Sequence, residues 1–347
     1  MKKPITDIAA PLTAWYRQYE RSFPWREDPS PYRVWVSEIM LQQTRIEAAL
    51  PYFERFMQAL PTIADLAAAS EDVPLKLWEG LGYYSRVRNL QKAAQLVMRE
   101  FGGELPDTYE QLLTLPGIGE YTAGAIASIA FGKRAAAVDG NVLRVMARLT
   151  DDPTDVMQPQ NRKRLTALVG RIVPEENAGD FNQGIMELGE TVCLPNAQPR
   201  CSDCPLVEYC AVAGLERARE LPTRAKPKQR RVEQRTVFII VADGKVLLRR
   251  RPPKGLLGGM WELPNIESNY FGDALSDWGI RASSVDSLPT AKHVFSHVEW
   301  HMTGCLVKAK SITPQPEFQL VSKEELADYA LPTAFRTYSA ILKEDVL

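Results

Sequence analysis

Residues 115–124 read LPGIGEYTAG, a Pro-Gly-x-Gly turn between two helical patterns. These patterns predict a short helix over 108–114 and a second helix that begins near Glu120. Gly117 and Gly119 let the backbone come close to a phosphate, and the free N–H groups at the start of the following helix attract the anion. Such a contact carries no sequence preference, because it involves only backbone. The turn is therefore a candidate helix-hairpin-helix motif, with a plain helix connector as the alternative interpretation.

Helical patterns extend on both sides of this turn, from Ile5 to about residue 213. Amphipathic segments alternate with Pro or Gly breaks, at 31–44, 46–59, 85–101, 119–131, 138–149 and 160–172. From Thr236 the period becomes that of strands, and TVFIIVADGKVLLRRR predicts a hairpin around Asp243-Gly244. The sequence thus predicts an all-α half and then an α+β half, joined by a Pro- and Arg-rich linker.

Composition limits the partners only weakly. The 347 residues are 45% hydrophobic and carry a formal net charge of −1, but residues 224–235 (RAKPKQRRVEQR) hold six Arg or Lys against one Glu. That run indicates either a nucleic-acid contact or a solvated linker. No apolar run of about 18 residues and no signal peptide are present, so we expect a cytoplasmic protein without membrane spans.

Four of the five cysteines fall within 18 residues, with seven, two and five residues between successive members. They follow the helical pattern 178–192 and are Cys193, Cys201, Cys204 and Cys210. In a cytosolic chain such a cluster more often binds metal than forms disulfides. The tight spacing suits a [4Fe–4S] cube, and a structural zinc site built from the same four residues stays open.

The hairpin followed by this cysteine run resembles the endonuclease III superfamily of base-excision glycosylases, over roughly residues 5–213. Most members have six residues between the first two cysteines, whereas this chain has seven, Leu194–Arg200. The segments SEIMLQQTR (37–45) and VDGNVLRV (138–145) resemble the MutY-type adenine DNA glycosylases of that superfamily. Bifunctional members carry a lysine nucleophile where this chain has Tyr121, so the resemblance implies no strand-nicking lyase step.

The residues around Glu38 make chemical sense without the family. On the predicted helix 31–44, its i±3 and i±4 neighbours are Val34, Trp35, Leu41 and Gln42, a largely apolar set. Desolvation raises the pKa of a carboxyl, which suits Glu38 to protonate the leaving adenine at N7.

Asp139 has the opposite expectation, because it precedes the helical segment that begins near Val142. The N–H groups and dipole of a helix N-terminus favour a carboxylate, so we expect Asp139 to stay ionised. Two carboxyls with opposed pKa shifts suit glycosidic cleavage through an oxocarbenium-like state. The alternative makes Asp139 only a helix cap and Glu38 only a surface charge.

The resemblance implies further roles residue by residue. Tyr121 and Asn141 would lie beside the sugar and the catalytic carboxylates, and the flipped adenine would be surrounded by Trp25, Arg26 and Gln183. The base opposite would meet Gln43, Thr44, Leu81 and Tyr83, with Tyr83 wedged into the stack. Ordinary packing within GLGYYSR is the alternative for Leu81 and Tyr83.

The C-terminal part resembles the Nudix-like module of MutY-type enzymes. True Nudix hydrolases need an acidic REx2E helix, but WELPNIES is followed here by NYFGDALSDWG. The resemblance therefore implies binding of an oxidised purine without hydrolysis. Within this module Phe295-Ser296-His297 matches the family's 8-oxoguanine-sensing loop.

These observations predict a multi-domain protein: an all-α helix-hairpin-helix glycosylase with an iron–sulfur loop, plus an α+β Nudix-like domain. The expected bounds are 1–221 for the glycosylase region, 222–232 for the linker and 233–347 for the recognition domain. Within the glycosylase region we expect a six-helix module over about 27–133 and a cluster module from 1–26 and 134–221.

The expected function is monofunctional removal of adenine opposite 8-oxoguanine or guanine in duplex DNA. We expect a monomer with one [4Fe–4S] cluster, in a bacterial-type, nucleoid-associated setting. Three rivals stay open: a glycosylase that removes thymine from G·T mispairs, a non-catalytic DNA-binding or redox protein, and a nucleotide-sanitising phosphohydrolase. The pair Glu38 and Asp139 argues against the second, and the missing acidic helix argues against the third.

Overall fold

The computed structural model describes residues 2–225, 229–268 and 272–342, and the chain packs into two units. The first combines Met1–Ala68 with Asn89–Lys226, and the second combines Ala69–Arg88 with Pro227–Leu347. The domain bounds expected from the sequence divide the chain into continuous stretches. The two units are defined by packing and each combines two separate stretches, so the expected bounds stay a prediction. The predicted linker 222–232 and the basic run 224–235 include residues 226–228, which lie outside the described residues.

Helices make up the first unit. In chain order up to the linker, the helices are α1 (Ala9–Tyr19), α2 (Pro24–Glu27), α3 (Pro31–Leu41), α4 (Ile46–Ala59), α5 (Ile63–Ala68), α6 (Asp72–Leu77), α7 (Ser85–Glu100), α8 (Tyr109–Leu112), α9 (Glu120–Ile129), α10 (Gly140–Leu149), α11 (Pro159–Ile172), α12 (Ala178–Thr191) and α13 (Arg217–Glu220). Helix α6 and the start of α7 belong to the second unit. Short 3₁₀ turns occupy Ile5–Asp7 and Cys201–Asp203.

The predicted amphipathic segments are helices, with one clear difference in length. The pattern over 31–44 predicts three more residues than α3 contains, because the helix ends at Leu41. Gln43 has a left-handed backbone with φ 59°, which a right-handed helix cannot include. The segment after Leu41 is therefore a turn that redirects the chain into α4.

The Pro-Gly-x-Gly turn within residues 115–124 lies between two helices, as predicted. Thr108 caps α8 by accepting a hydrogen bond from the Gln111 N–H (3.3 Å), and α9 begins at Glu120. Gly117 has φ 81°, and a Cβ there would lie 2.7 Å from the Cβ of Asn89. A side chain at this position would thus meet both backbone strain and a steric clash. Around Gly119, which precedes α9, the space is open.

A seven-stranded sheet forms the second unit, in the order β3-β2-β1-β6-β5, with β4 beside β1 and β7 beside β2. The strands are β1 (Arg231–Ala242), β2 (Lys245–Arg250), β3 (Trp261–Glu262), β4 (Asn265–Ile266), β5 (Ile280–Val294), β6 (Val298–Ile312) and β7 (Phe318–Val321). Helices α14 (Ala274–Asp277) and α15 (Arg336–Ile341) accompany them, with 3₁₀ turns at Glu325–Asp328 and Thr333–Phe335.

Local chemistry accounts for this sheet. Asp243 and Gly244 both have positive φ, 49° and 70°, which is the two-residue turn that joins twisted antiparallel strands. Strand β1 alternates along its length: Val237 and Ile239 pack into one apolar cluster, Phe238 and Ile240 into another. Both faces of the sheet are therefore covered. The observed helical and sheet-containing units confirm the expected fold class, and no helix of the described part is long and apolar enough to cross a membrane.

Candidate active site

A pocket of about 560 Å³ opens in the first unit between α2, α3, α9, α10 and α12. Nine of the residues singled out from the sequence line it: Trp25, Arg26, Glu38, Gln43, Thr44, Tyr121, Asp139, Asn141 and Gln183. Four of them are the candidate catalytic residues. The pocket thus brings together side chains from five helices that are far apart in sequence.

Glu38 lines this pocket from the buried face of α3, with 7% of its surface exposed. Burial raises the pKa of Glu38 to about 7; the hydrogen bond from Tyr121 opposes this shift, and the charge of Asp139 adds to it. The carboxyl is buried, as its apolar neighbours predict, and the raised pKa favours its protonated form more than in a solvated glutamate.

Tyr121 is the nearest polar partner of Glu38. Its hydroxyl donates to Glu38 Oε2 at 2.5 Å and lies 3.3 Å from the Met186 sulfur. Burial, and then the charge of Glu38, raise the pKa of Tyr121 well above its ordinary value, so the group stays a neutral phenol. It can orient the Glu38 carboxyl by hydrogen bonding, and it offers no amine for a Schiff base.

Asp139 is the N-cap of α10, as the sequence predicts. Its Oδ1 accepts from the Val142 N–H (2.8 Å) and its Oδ2 from Asn141 Nδ2 (2.9 Å). The expectation of opposed pKa shifts is wrong, however. Burial raises the pKa of Asp139 above its ordinary value, and the hydrogen bonds from Val142 and Asn141 offset this only in part. Desolvation outweighs the helix N-terminus, because the carboxyl sits inside the pocket and not at a solvated helix end.

Asn141 is held in turn by Arg144, whose Nη2 donates to Asn141 Oδ1 and to the Gly189 carbonyl, both at 2.8 Å. A Cβ on Gly189 would lie 2.7 Å from the Cβ of Asn141, so only glycine lets α12 pack this closely on α10. Arg144 Nε also donates to the Cys193 carbonyl (2.9 Å). One buried guanidinium thereby joins Asn141 to the backbone of the first cysteine.

Several residues that line the pocket, among them Arg21, Glu187 and Glu190, are not predicted as site residues from the sequence. Arg21 and Glu187 line the pocket, and Glu187 is 2% exposed while accepting hydrogen bonds from both Arg21 and Arg26. A signal was available, because Gln183, Glu187 and Glu190 are spaced i, i+4 and i+7 and therefore share one face of α12. Nothing local in the sequence marks Arg21.

The remaining base-contact candidates lie in the second unit. Tyr83 has a left-handed backbone (φ 50°) and is 48% exposed, and its hydroxyl lies 3.0 Å from the Ser296 hydroxyl. Leu81 is half-buried two residues earlier. Phe295, Ser296 and His297 form the turn between β5 and β6, closed by the Phe295 N–H donating to the Val298 carbonyl (2.8 Å). The structure therefore pairs the predicted wedge with the predicted sensing loop.

All four clustered cysteines line one pocket, together with Arg148. Burial raises the pKa of Cys204 to about 12, and the charges of Cys193, Cys210 and Cys201 act in the same direction. Arg148 Nη1 donates to the Cys193 sulfur (3.2 Å). The four thiols surround one pocket of the kind that a thiolate-binding cofactor needs, but among the described residues no three metal-ligating side chains are placed to hold a single metal ion. The seven-residue first spacing does not prevent Cys193 from lining the same pocket as the other three cysteines.

Comparisons with known proteins match two families along the chain. The family described as "HhH-GPD superfamily base excision DNA repair protein" matches residues 36–170, and the NUDIX domain family matches residues 236–340. The adenine DNA glycosylase of Homo sapiens is 34% identical, over 96% of this chain and 74% of the human protein. The adenine DNA glycosylase of Buchnera aphidicola subsp. Acyrthosiphon pisum is 32% identical, over 86% of each chain. Among solved structures, a thermostable thymine-DNA glycosylase is similar, with a TM-score of 0.53 and 28% identity over 59% of this chain and 94% of that one.

Proposed function

Since this chain belongs to the family of adenine DNA glycosylases, we propose that it hydrolyses the N-glycosidic bond of adenine paired with 8-oxoguanine, or with guanine, in duplex DNA. We also propose that it does so without a lyase step. The observation that carries the proposal is the pocket in which Glu38, with its raised pKa, and Asp139 are brought together.

The proposed chemistry begins with extrusion of adenine from the stack into the pocket. Glu38 protonates N7, the C1′–N9 bond breaks with its electron pair moving to the adenine, and the negative charge of Asp139 stabilises the sugar cation. Water then adds to C1′ and gives up a proton to the Glu38 carboxylate, which regenerates the acid. Tyr121 orients Glu38 through its 2.5 Å hydrogen bond, and Asn141 holds Asp139.

The proposed preference for the base opposite adenine is supported by a contact within the second unit. The hydroxyls of Tyr83 and Ser296 lie 3.0 Å apart, so a base near the wedge also meets a group that can donate and accept hydrogen bonds. 8-Oxoguanine differs from guanine by a C8 carbonyl and an N7 hydrogen, and only polar groups can sense that change. We propose that Gln43 and Thr44, which line the adenine pocket, contact the DNA strand that carries the opposite base.

The direct test is base release from duplexes that contain A·8-oxoguanine, A·G or T·G. Adenine release with strand breakage only after alkali supports the proposal, because alkali reveals abasic sites. Breakage without alkali would contradict the monofunctional mode. Release of thymine in place of adenine would favour the thymine-glycosylase alternative, which the similar solved structure makes worth testing.

We predict that the sensing loop determines discrimination and not cleavage. Replacing Phe295, Ser296 and His297 together by Ala should reduce the preference for A·8-oxoguanine over A·G by about 1–3 kcal/mol, the usual value of a specific base contact. Deleting residues 233–347 is a poorer experiment, because Ala69–Arg88, with Tyr83, packs with that unit.

The measurement is the ratio of single-turnover rates on the two duplexes. Ser283→Ala is a matched control, since Ser283 is an exposed hydroxyl at the opposite end of β5 that donates to the Lys308 carbonyl (2.8 Å). An unchanged ratio in the triple variant would assign sensing to Gln43, Thr44 and Tyr83 alone.

We further propose that Cys193, Cys201, Cys204 and Cys210 hold one [4Fe–4S] cluster, which orders the surrounding loop and takes no part in base release. The prediction is about four iron atoms per chain and broad absorption at about 400 nm. Cys204→Ala should lose iron and DNA binding, whereas Cys305→Ala, in the second unit, should keep both. One zinc and no iron in the purified protein would contradict the cluster assignment.

The proposed setting is a monomer acting on duplex DNA in the cytoplasm. The Nudix-like unit is proposed as a recognition module only. After β4 the sequence has no REx2E motif, and the described part of this region holds only the four-residue helix α14.

A further inference from the structure

A buried carboxylate holds two arginine side chains on one wall of the pocket. Glu187, on α12, accepts at Oε2 from Arg26 Nη2 (2.8 Å) and from Arg21 Nη2 (3.1 Å), and at Oε1 from Arg21 Nε. Its side chain is 2% exposed, while those of Arg21 and Arg26 are 34% and 12% exposed. Glu187 contacts neither Glu38 nor Asp139 through a hydrogen bond, so the proposed chemistry does not use it directly.

Arg26 depends on this contact for its position. It lies on α2, which has only four residues, so the helix itself gives little rigidity. Its other restraints are a hydrogen bond from Nη1 to the Arg21 carbonyl (2.9 Å) and stacking against two rings, with the guanidinium carbon 5.0 Å from the Phe23 centroid and 5.5 Å from that of Tyr16. Rings fix the plane of a guanidinium, whereas a charged hydrogen bond fixes its rotation and depth.

The charges on this wall are balanced. Arg21 also reaches Glu190 at 2.6 Å, so two guanidiniums face two carboxylates. Although burial favours its neutral form, the pKa of Glu187 lies below the ordinary value because Arg21 and Arg26 donate to it. Neutralising Glu187 would leave two neighbouring guanidiniums without the carboxylate between them, and the more buried of the two, Arg26, would then reorient.

We propose that Glu187 is a positioning residue for base recognition: it acts through Arg26, which it fixes at the wall that meets the extruded adenine. The inference rests on the proposed function, in which Arg26 contacts that base. Glu187 itself touches no reacting atom.

The test compares Glu187→Gln, Arg26→Gln and the double variant in a double-mutant cycle. The readouts are the single-turnover rate of adenine release and the affinity for two probe duplexes, one with the uncleavable 2′-fluoro-2′-deoxyadenosine and one with an abasic analogue. A misplacement of about 1 Å costs about 10²-fold in rate, so we expect a loss of that size from Glu187→Gln. In Glu187→Gln the affinity for the adenine probe should fall, so that it exceeds the affinity for the abasic probe by less than in wild type. The affinity for the abasic probe should not change.

The cycle separates positioning from a general structural role. If Glu187 acts through Arg26, the double variant should be no slower than the slower single variant. If the rate losses of the two single variants multiply in the double variant, the proposal is overturned. Equal loss of affinity for both probe duplexes would overturn it too. Glu187→Asp, which keeps the charge on a shorter stem, should give an intermediate rate with abasic affinity unchanged, so the inference stays testable if the glutamine variant folds poorly.

Asp152→Asn is the matched control. Asp152 is also a buried carboxylate, 7% exposed, that pairs with an arginine, Arg164, but it lies outside the pocket. It should lower thermal stability without changing the difference between the two probes. Wild-type protein is assayed in parallel. No adenine release by wild type would refute the proposed function, whereas adenine release by wild type together with multiplicative losses in the variants would refute the role of Glu187 alone.

Discussion

Glu38→Gln should lower the single-turnover rate of adenine release by about 10⁴-fold, the upper end of what a general acid contributes. Glutamine keeps the shape of the side chain and its acceptor oxygen for the Tyr121 hydroxyl, but it has no proton to give to N7. Affinity for the A·8-oxoguanine duplex should change little. Folding should tolerate the change, because burial already favours the neutral form of Glu38.

The pH dependence gives the same assignment independently. Burial raises the pKa of Glu38 to about 7, so the acid is present below that pH and is lost as pH rises through it. The wild-type rate should therefore fall above about pH 7, and the residual rate of the glutamine variant should lack this limb. Glu54→Gln, at an exposed carboxyl on α4, is the control and should behave as wild type. Turnover by Glu38→Gln within tenfold of wild type would remove Glu38 from the acid role.

The sequence predicts those features of the fold and the site that a local pattern of residues determines. The apolar neighbours of Glu38 on α3 predict its burial, the Gly-x-Gly turn predicts the start of α9 at Glu120, and Asp243-Gly244 predicts the strand turn. Each depends on residues within a few positions of one another, where backbone geometry and helix or strand period decide the outcome.

What the sequence could not predict depends on packing between distant segments. Glu187 meets Arg21 and Arg26 across about 160 residues, and neither partner carries a local mark. Ala69–Arg88 packs with Pro227–Leu347 through contacts such as Lys76 to the Tyr329 carbonyl (3.0 Å), which no periodicity reveals. The predicted lowering of the Asp139 pKa is wrong for the same reason. The direction of the shift depends on how deeply the pocket encloses the carboxyl, which is set by distant segments.

Asp139→Asn tests the other half of the proposed chemistry and should reduce the single-turnover rate by about 10²–10³-fold, the range found when one preorganised electrostatic contact is removed. The substitution removes the charge and keeps the helix cap, since Asn is as good an N-cap as Asp and can still accept from the Val142 N–H. One contact is lost: an amide nitrogen replaces the oxygen that accepts from Asn141 Nδ2, at a cost of about 1–3 kcal/mol in unfolding free energy.

The raised pKa of Asp139 makes a further, opposite prediction for the acidic side of the profile. Asp139 must be ionised to stabilise the sugar cation, and burial moves its pKa above the ordinary value, so activity should already fall at a pH where a solvated aspartate would still be charged. With Glu38 setting the basic limb, wild type should show a narrow bell-shaped profile, and Asp139→Asn should lose the acidic limb while keeping the basic one. Single-turnover rates of both proteins measured across pH 4–9 would decide this. An acidic limb that survives in Asp139→Asn would place the essential anion elsewhere in the pocket, with Glu190 as the next carboxylate to replace.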